Sequence, residues 1–214
     1  MGVLGRLGPT YGLTVSDAPL DLAALYGRQA PLVLEIGSGM GEATAAMAGA
    51  DPGRDYLAVE VHTAGVANLL ALVEARGLTN VRIARGNALH LVEHQLGPDT
   101  VDAIHVFFPD PWPKARHHKR RLIQPAYVAL LRSRLVPGGL LHCATDSADY
   151  AASMMDALGA DGQLVNAYDG YAPRAAHRPI TKYEQRARDA GRDVVDLMFH
   201  RTMFPSTMYH GTPE

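Results

Sequence analysis

Five apolar runs rich in Val, Ile and Leu recur along the chain at fairly even spacing, with helix-like stretches between them. They are PLVLEIG from Pro31, YLAVEV from Tyr56, NVRIARG from Asn80, VDAIHVFF from Val101 and GLLHCAT from Gly139. Apolar residues fall near helical spacing over Glu42 to Ala50, Thr63 to Arg76, Ala88 to His94, Lys119 to Leu135 and Ser147 to Leu158. Strand and helix alternate, which predicts right-handed crossovers and a doubly wound α/β fold: a mostly parallel sheet with helices on both faces. Burial on both faces explains why the strands are apolar almost throughout. Beyond the helix expected over Ser147 to Leu158 the pattern weakens. A loop rich in Tyr, Pro and His over Tyr168 to Thr181 precedes a last strand-like run, Val194 to Phe204. Residues 1–20 carry several glycines and two prolines with little periodicity, so a flexible arm is expected there, followed by a single domain over 21–214.

At 214 residues the chain is long enough for one large domain. A hydrophobic content of 47% with 20% charged residues excludes a disordered, collagen-like or coiled-coil protein. No run of eighteen apolar residues offers a membrane span, and the opening MGVLGRLGPTYG lacks the apolar core of a secretory signal, so a soluble cytoplasmic protein is expected. The single cysteine, Cys143, lies in an apolar run and is read as a buried thiol without chemistry. The net charge of −2 hides a strong asymmetry. Seven of the 20 Lys and Arg residues fall between Lys114 and Arg134, where there is no Asp or Glu. A basic patch therefore sits on an otherwise acidic body.

The segment Glu35-Ile36-Gly37-Ser38-Gly39-Met40-Gly41 ends one strand and opens a helix, where glycines permit a tight turn and close approach of backbone to a ligand. A dinucleotide fingerprint would place its third glycine at position 42, which is Glu42, and no Gly-Lys-Ser/Thr end marks a Walker loop. The compact G-x-G-x-G form suits S-adenosylmethionine, a cofactor with no pyrophosphate but with a cationic sulfonium and an amino group. Glu35 is placed to face that amino group, Glu60 at the end of the second strand to accept from ribose hydroxyls, and Asn87 after the third strand to meet the adenine amine. A plain βα turn is the competing reading of the three glycines.

The fourth strand runs into Pro109-Asp110-Pro111-Trp112-Pro113-Lys114-Ala115-Arg116-His117-His118-Lys119-Arg120-Arg121. Three prolines fix backbone torsions and stop the strand, presenting Asp110 at the carboxyl edge of the sheet, where open α/β folds bind ligands. The cations that follow are what a phosphate backbone asks of a protein surface, so a polyanionic partner is expected. Alone, such a cluster is read as a solvated helix face. Trp112 is read either as a base-stacking residue or as a buried anchor for the turn.

FPDPWPKxRHxKRR, together with LEIGSGMGE upstream and RPITKYE downstream, resembles the bacterial tRNA (guanine-N7) methyltransferase family over about Leu32 to Leu197. The resemblance implies a Rossmann-like class I S-adenosylmethionine-dependent methyltransferase fold and a guanine in the variable loop of tRNA as acceptor. It implies cofactor contacts at Glu35, Gly37, Gly39, Gly41, Glu60, Asn87 and Asp110, with Asp110 also catalytic. Lys114, Asp146, Thr181, Lys182, Tyr183 and Glu184 match substrate-binding positions, and Arg116, His117, His118, Lys119, Arg120 and Arg121 the RNA-contact segment. Asp146 and Glu184 are suited to accept from the N1 and N2 donors of guanine. Asn87 stands where the family often has Asp. The N-terminal arm lacks the arginine-rich approach of many relatives, which predicts either weaker tRNA affinity or a native start upstream. No DNA or membrane partner and no metal is implied, and both monomer and homodimer remain open.

Two rival readings belong to other classes. An amino-group methyltransferase of adenine or cytosine carries an Asp/Asn-Pro-Pro-aromatic loop, of which Asp110-Pro111-Trp112-Pro113 is a permuted form. A non-catalytic RNA-binding module would keep the glycine loop as a relic. His90-Leu91-Val92-Glu93-His94 also matches the H-x-x-E-H pattern of some zinc peptidases, with no dedicated downstream acidic ligand in the sequence.

Overall fold

The computed structural model describes residues 2–203. Among these residues eight strands form one sheet: β1 (Gly12–Thr14), β2 (Leu32–Ile36), β3 (Asp55–Glu60), β4 (Val81–Arg85), β5 (Val101–Phe107), β6 (Leu135–Thr145), β7 (Leu164–Asn166) and β8 (Val195–Arg201). Their spatial order is β1-β4-β3-β2-β5-β6-β8-β7. The pairs from β1 to β6 are parallel, and β8 runs antiparallel to both β6 and β7. Every residue of β2 and β3 is buried, as expected for central strands covered on both faces. The chain builds outward from β2 through β3 to β4, then crosses back to place β5 on the other side of β2. That reversal opens a crevice beyond the carboxyl ends of β2 and β5, the position where doubly wound sheets bind ligands.

The helices α3 (Glu42–Ala50), α4 (Thr63–Ala75), α5 (Ala88–His94) and α7 (Ala148–Gly159) fall where the periodicity predicts them, within a residue or two. One expectation fails. The helix expected over Lys119 to Leu135 is a short 3-10 turn, Ala115–Arg120, followed by α6 (Pro125–Arg134). Pro125 fits the first helical turn, but it forces Gln124 into an extended conformation (φ −151°, ψ 158°), so the helix cannot extend backwards. Three further helices were not legible: α1 (Val3–Tyr11), α2 (Leu22–Tyr26) and the strongly polar α8 (Lys182–Asp189). Most of the stretch expected as an arm thus carries regular structure. Arg6 in α1 ion-pairs with Glu74 in α4, and β1 adds to the edge of the sheet beside β4. The last strand is seen as Val195–Arg201, and Phe204 lies outside the described residues.

Two apolar clusters pack the two sides of the sheet, one including Leu34, Ile104, Leu141, Tyr150 and Phe199, the other Val33, Tyr56, Leu69 and Ile83. Cys143 is fully buried in the first, and burial pushes its thiol up to about 12, which keeps it protonated and inert. No helix among the described residues is long and apolar enough to cross a membrane.

Candidate active site

A cleft of about 620 Å³ opens at the crevice between β2 and β5. Its walls come from the glycine loop, the end of β3 (Glu60 to His62), the end of β5 (Phe107 to Asp110), Trp112, Arg120, Leu122, and the first turns of α8. Residues from five separate stretches of sequence thus meet around one space.

The glycines divide by role. Gly37, Gly39 and Gly41 all hold left-handed backbone, with φ of 77°, 56° and 74°. A side chain at Gly37 or Gly39 would meet no atom of the described residues within 4 Å, so these two leave the backbone bare toward open space. A side chain at Gly41 would strike Leu69, so that glycine serves the packing of α3 on α4. Ser38, between them, is buried, and its Oγ has no hydrogen-bond partner among the described residues. A bare loop with an unsatisfied hydroxyl is a seat shaped for a polar ligand.

Glu60 is only 6% exposed. Its Oε2 accepts from the backbone N–H of Gly39 at 2.8 Å, and Oε1 accepts from those of Val61 and His62, each at 2.8 Å. Three of about four acceptor positions on the carboxylate are therefore taken by the chain itself. Glu60 fastens the glycine loop to the end of β3, a role beyond its expected contact with ribose. Glu35 is buried and accepts one bond, from Thr44 Oγ1 at 2.5 Å. Burial pushes its carboxyl up to about 7 against the opposing pull of that hydroxyl. An arriving ammonium would return the group to its charged form.

Asp110 is exposed and lines the same cleft. It sits between two non-glycine residues in left-handed conformation, Phe108 (φ 52°) and Trp112 (φ 44°). Each such residue costs about 1–3 kcal/mol and persists only where its surroundings hold it. Here they do. Phe108 N donates to Ala144 O at 2.7 Å, Arg121 Nε donates to Pro111 O at 2.9 Å, and the Arg120 guanidinium lies 4.9 Å over the Trp112 ring. The strained turn fixes where Asp110 points. Trp112 is half-buried, anchored by Arg120 and edge-on to His117, yet it keeps a face on the cleft.

The remaining residues singled out in the sequence separate into two groups. Lys114, Arg116, Lys119 and Arg120 are exposed, with His117 and His118 half-buried among them. Thr181, Lys182 and Tyr183 line the cleft, Thr181 as the N-cap of α8 and Lys182 reaching Glu42 at 2.8 Å. Four others have structural partners instead. Arg121, read as RNA-facing, is 3% exposed and paired with Asp149 as well as Pro111. Glu184, read as facing guanine, is fully buried among Arg174, Arg178 and Arg188. Burial pushes its carboxyl up, but the Arg174 and Arg178 guanidiniums outweigh this and hold it below the usual carboxylate range. Asn87 spends its amide oxygen on capping α5, accepting from Leu89 N and His90 N, and it does not line the cleft. Asp146 accepts from Arg192 Nε at 2.9 Å, also away from the lining. His90 and His94 of the H-x-x-E-H stretch stand with Asp17 and do not line the cleft, and Glu93 pairs loosely with His94 at 3.7 Å.

Gly65 carries no signal legible in sequence. A side chain there would stand 2.1 Å from Gly39 O, so α4 packs against the cofactor-type loop at bare backbone distance. Phe107, Phe108 and Arg186 likewise join the lining through tertiary contact alone.

The fold and cleft define a methyltransferase: residues 29–197 match the family model described as "Putative methyltransferase". The 16S rRNA methyltransferase KamB shares the fold, with a TM-score of 0.57 at 19% identity over 86% of this chain and 94% of that one. So does the geranyl diphosphate C-methyltransferase of Streptomyces coelicolor A3(2), solved with S-adenosyl-L-homocysteine, with a TM-score of 0.54 at 13% identity over 81% and 72%. Within that class the chain belongs to the tRNA (guanine-N(7)-)-methyltransferase family. It is 52% identical over 198 residues to the member from Bordetella pertussis (strain Tohama I), covering 92% of this chain and 78% of that protein.

Proposed function

We propose that this chain transfers a methyl group from S-adenosylmethionine to N7 of a guanine in the variable loop of tRNA. The observation that carries the reading is a single cleft bounded by the glycine loop, Asp110 and the cationic Arg120. S-adenosylmethionine, when bound, supplies an electrophilic methyl on a sulfonium. The bare backbone of Gly37 and Gly39, the orphan hydroxyl of Ser38 and the buried carboxyl of Glu35 would hold it. Glu60 keeps that loop in register and retains about one acceptor position for a ligand hydroxyl.

Guanine N7 has an in-plane lone pair and no proton, so the chain needs no general base. Its task is to align the base and to meet the positive charge that develops on the purine. Asp110, a carboxylate on a rigid turn at the cleft, does the second electrostatically. Alignment within the cleft is worth about 7 kcal/mol at the lower end of effective-molarity values. Thr181, Lys182 and Tyr183 stand where a base entering the cleft would pass, and Lys114, Arg116, Lys119 and Arg120 offer exposed cations to the phosphate backbone. Because N7 is engaged when tRNA is folded, the guanine is drawn out before transfer.

Asp110→Asn tests the reading. The variant should bind tRNA as the parent does while methyl transfer is largely abolished. Turnover at the parent rate would remove Asp110 from the mechanism.

A further inference from the structure

Outside the cleft, three histidines converge on one face of the sheet. His105 on β5 and His142 on β6 are register partners, and His177 comes from the segment between β7 and α8. Their ring centroids form a nearly even triangle, 5.7, 5.7 and 5.5 Å on a side. One ligand-type nitrogen from each lies within 4.8 Å of the other two. His105 and His142 are 4% and 0% exposed, and the Nδ1 atoms of both lack any hydrogen-bond partner among the described residues. Two orphaned ring nitrogens side by side in a sheet are costly, because each forfeits its solvation without compensation.

The surroundings resolve which nitrogens are free. His142 Nε2 lies 2.6 Å from Asp196 Oδ1, and the same carboxylate accepts from Arg178 Nε and from its second guanidinium nitrogen, at 2.9 and 2.8 Å. The carboxylate holds the proton on Nε2 and leaves a lone pair on Nδ1, as the carboxylate partners of metal-binding histidines do. Phe107 packs beside His105 and edge-on to His142, at 5.0 and 4.9 Å, walling the cluster from the cleft it also lines. His177 is exposed and leaves a route for entry.

We propose that His105, His142 and His177 form a site for one divalent cation of the zinc class, with water completing the shell and Asp196 orienting His142. Three imidazoles around a tetrahedral zinc at about 2.0–2.1 Å place their nitrogens about 3.4 Å apart, so the widest pair here closes by about 1.4 Å at most. The cation ties the segment leading into α8 to the strands behind the cleft. This departs from the sequence reading, which expected no metal and found metal spacing only at His90 and His94.

The test is titration of the untagged, chelator-stripped full chain with zinc and with cobalt(II), followed by metal analysis and the visible bands of tetrahedral cobalt. The parent should bind an equivalent that His177→Ala loses and His90→Ala keeps. Circular dichroism should show His177→Ala folded, since the side chain is exposed. If the Asp17, His90 and His94 group also binds, two equivalents appear and each variant loses one, which equally supports the site. Absence of binding by the parent, or an undiminished count in His177→Ala, overturns it.

Discussion

Gly65→Ala is the most economical perturbation of the donor seat, because Gly65 lies outside the loop and lends it nothing but space. The new methyl carbon would stand 2.1 Å from Gly39 O, 3.0 Å from Glu60 Cγ and 3.1 Å from Gly39 C. Gly39 O is backbone and cannot rotate away, so α4 and the loop must part by about 1 Å to restore contact distance. Overpacking of this kind costs about 1–3 kcal/mol. For a domain of this size each kcal/mol lowers the melting temperature by about 2–4 °C, giving a fall of about 2–12 °C. The displaced atoms are those that Glu60 fastens, so the loop moves relative to Asp110, and a shift of about 1 Å in a reacting geometry costs about 100-fold in rate. Differential scanning calorimetry and titration with S-adenosylmethionine read the two effects separately. Donor affinity equal to that of the parent, with methyl transfer undiminished, would refute the placement of the donor on this loop.

Arg120→Ala should weaken tRNA binding and lower its salt slope by about 1, whereas Arg121→Ala should leave the slope intact and lower stability by about 1–3 kcal/mol, since Arg121 is buried on Pro111 and Asp149. Binding measured at several salt concentrations beside thermal melts separates the pair, and an unchanged slope for Arg120→Ala would take that residue out of the interface. Glu35 gives a pH signature. Its carboxyl is raised to about 7, so the native state keeps a proton that the unfolded chain releases near 4.5. The stability it contributes is full below about 4.5 and is lost as pH rises through about 7. A donor ammonium favours the ionised form, so donor affinity should rise through the same window with release of a proton. Glu35→Gln should bind with a flat pH profile, and a parent profile that is already flat would contradict the contact.

The parts of the site that were legible in the sequence are local. Gly37, Gly39 and Gly41 carry their meaning in spacing, and Asp110 in the prolines beside it, because turn chemistry is written in adjacent residues. Charged residues are less legible, since a run of cations looks the same whether it faces water or a buried carboxylate. Arg121 and Glu184 are the cases in point: only the fold brings Asp149 to one, and Arg174 and Arg178 to the other. Asn87 shows the same limit at short range, its position fitting a helix cap as well as a ligand contact. α1 was hidden by its glycines and by Pro9, and α8 by its polarity, which leaves little apolar rhythm to count. Gly65 and the His105, His142 and His177 group depend on contacts between distant segments.

The chemistry is tested most directly by incubating the full chain with methyl-labelled S-adenosylmethionine and unmodified tRNA, then digesting the RNA and identifying the labelled nucleoside. The account predicts 7-methylguanosine from the variable loop. Label on an exocyclic amine of adenine or cytosine, or none in the RNA, would contradict it.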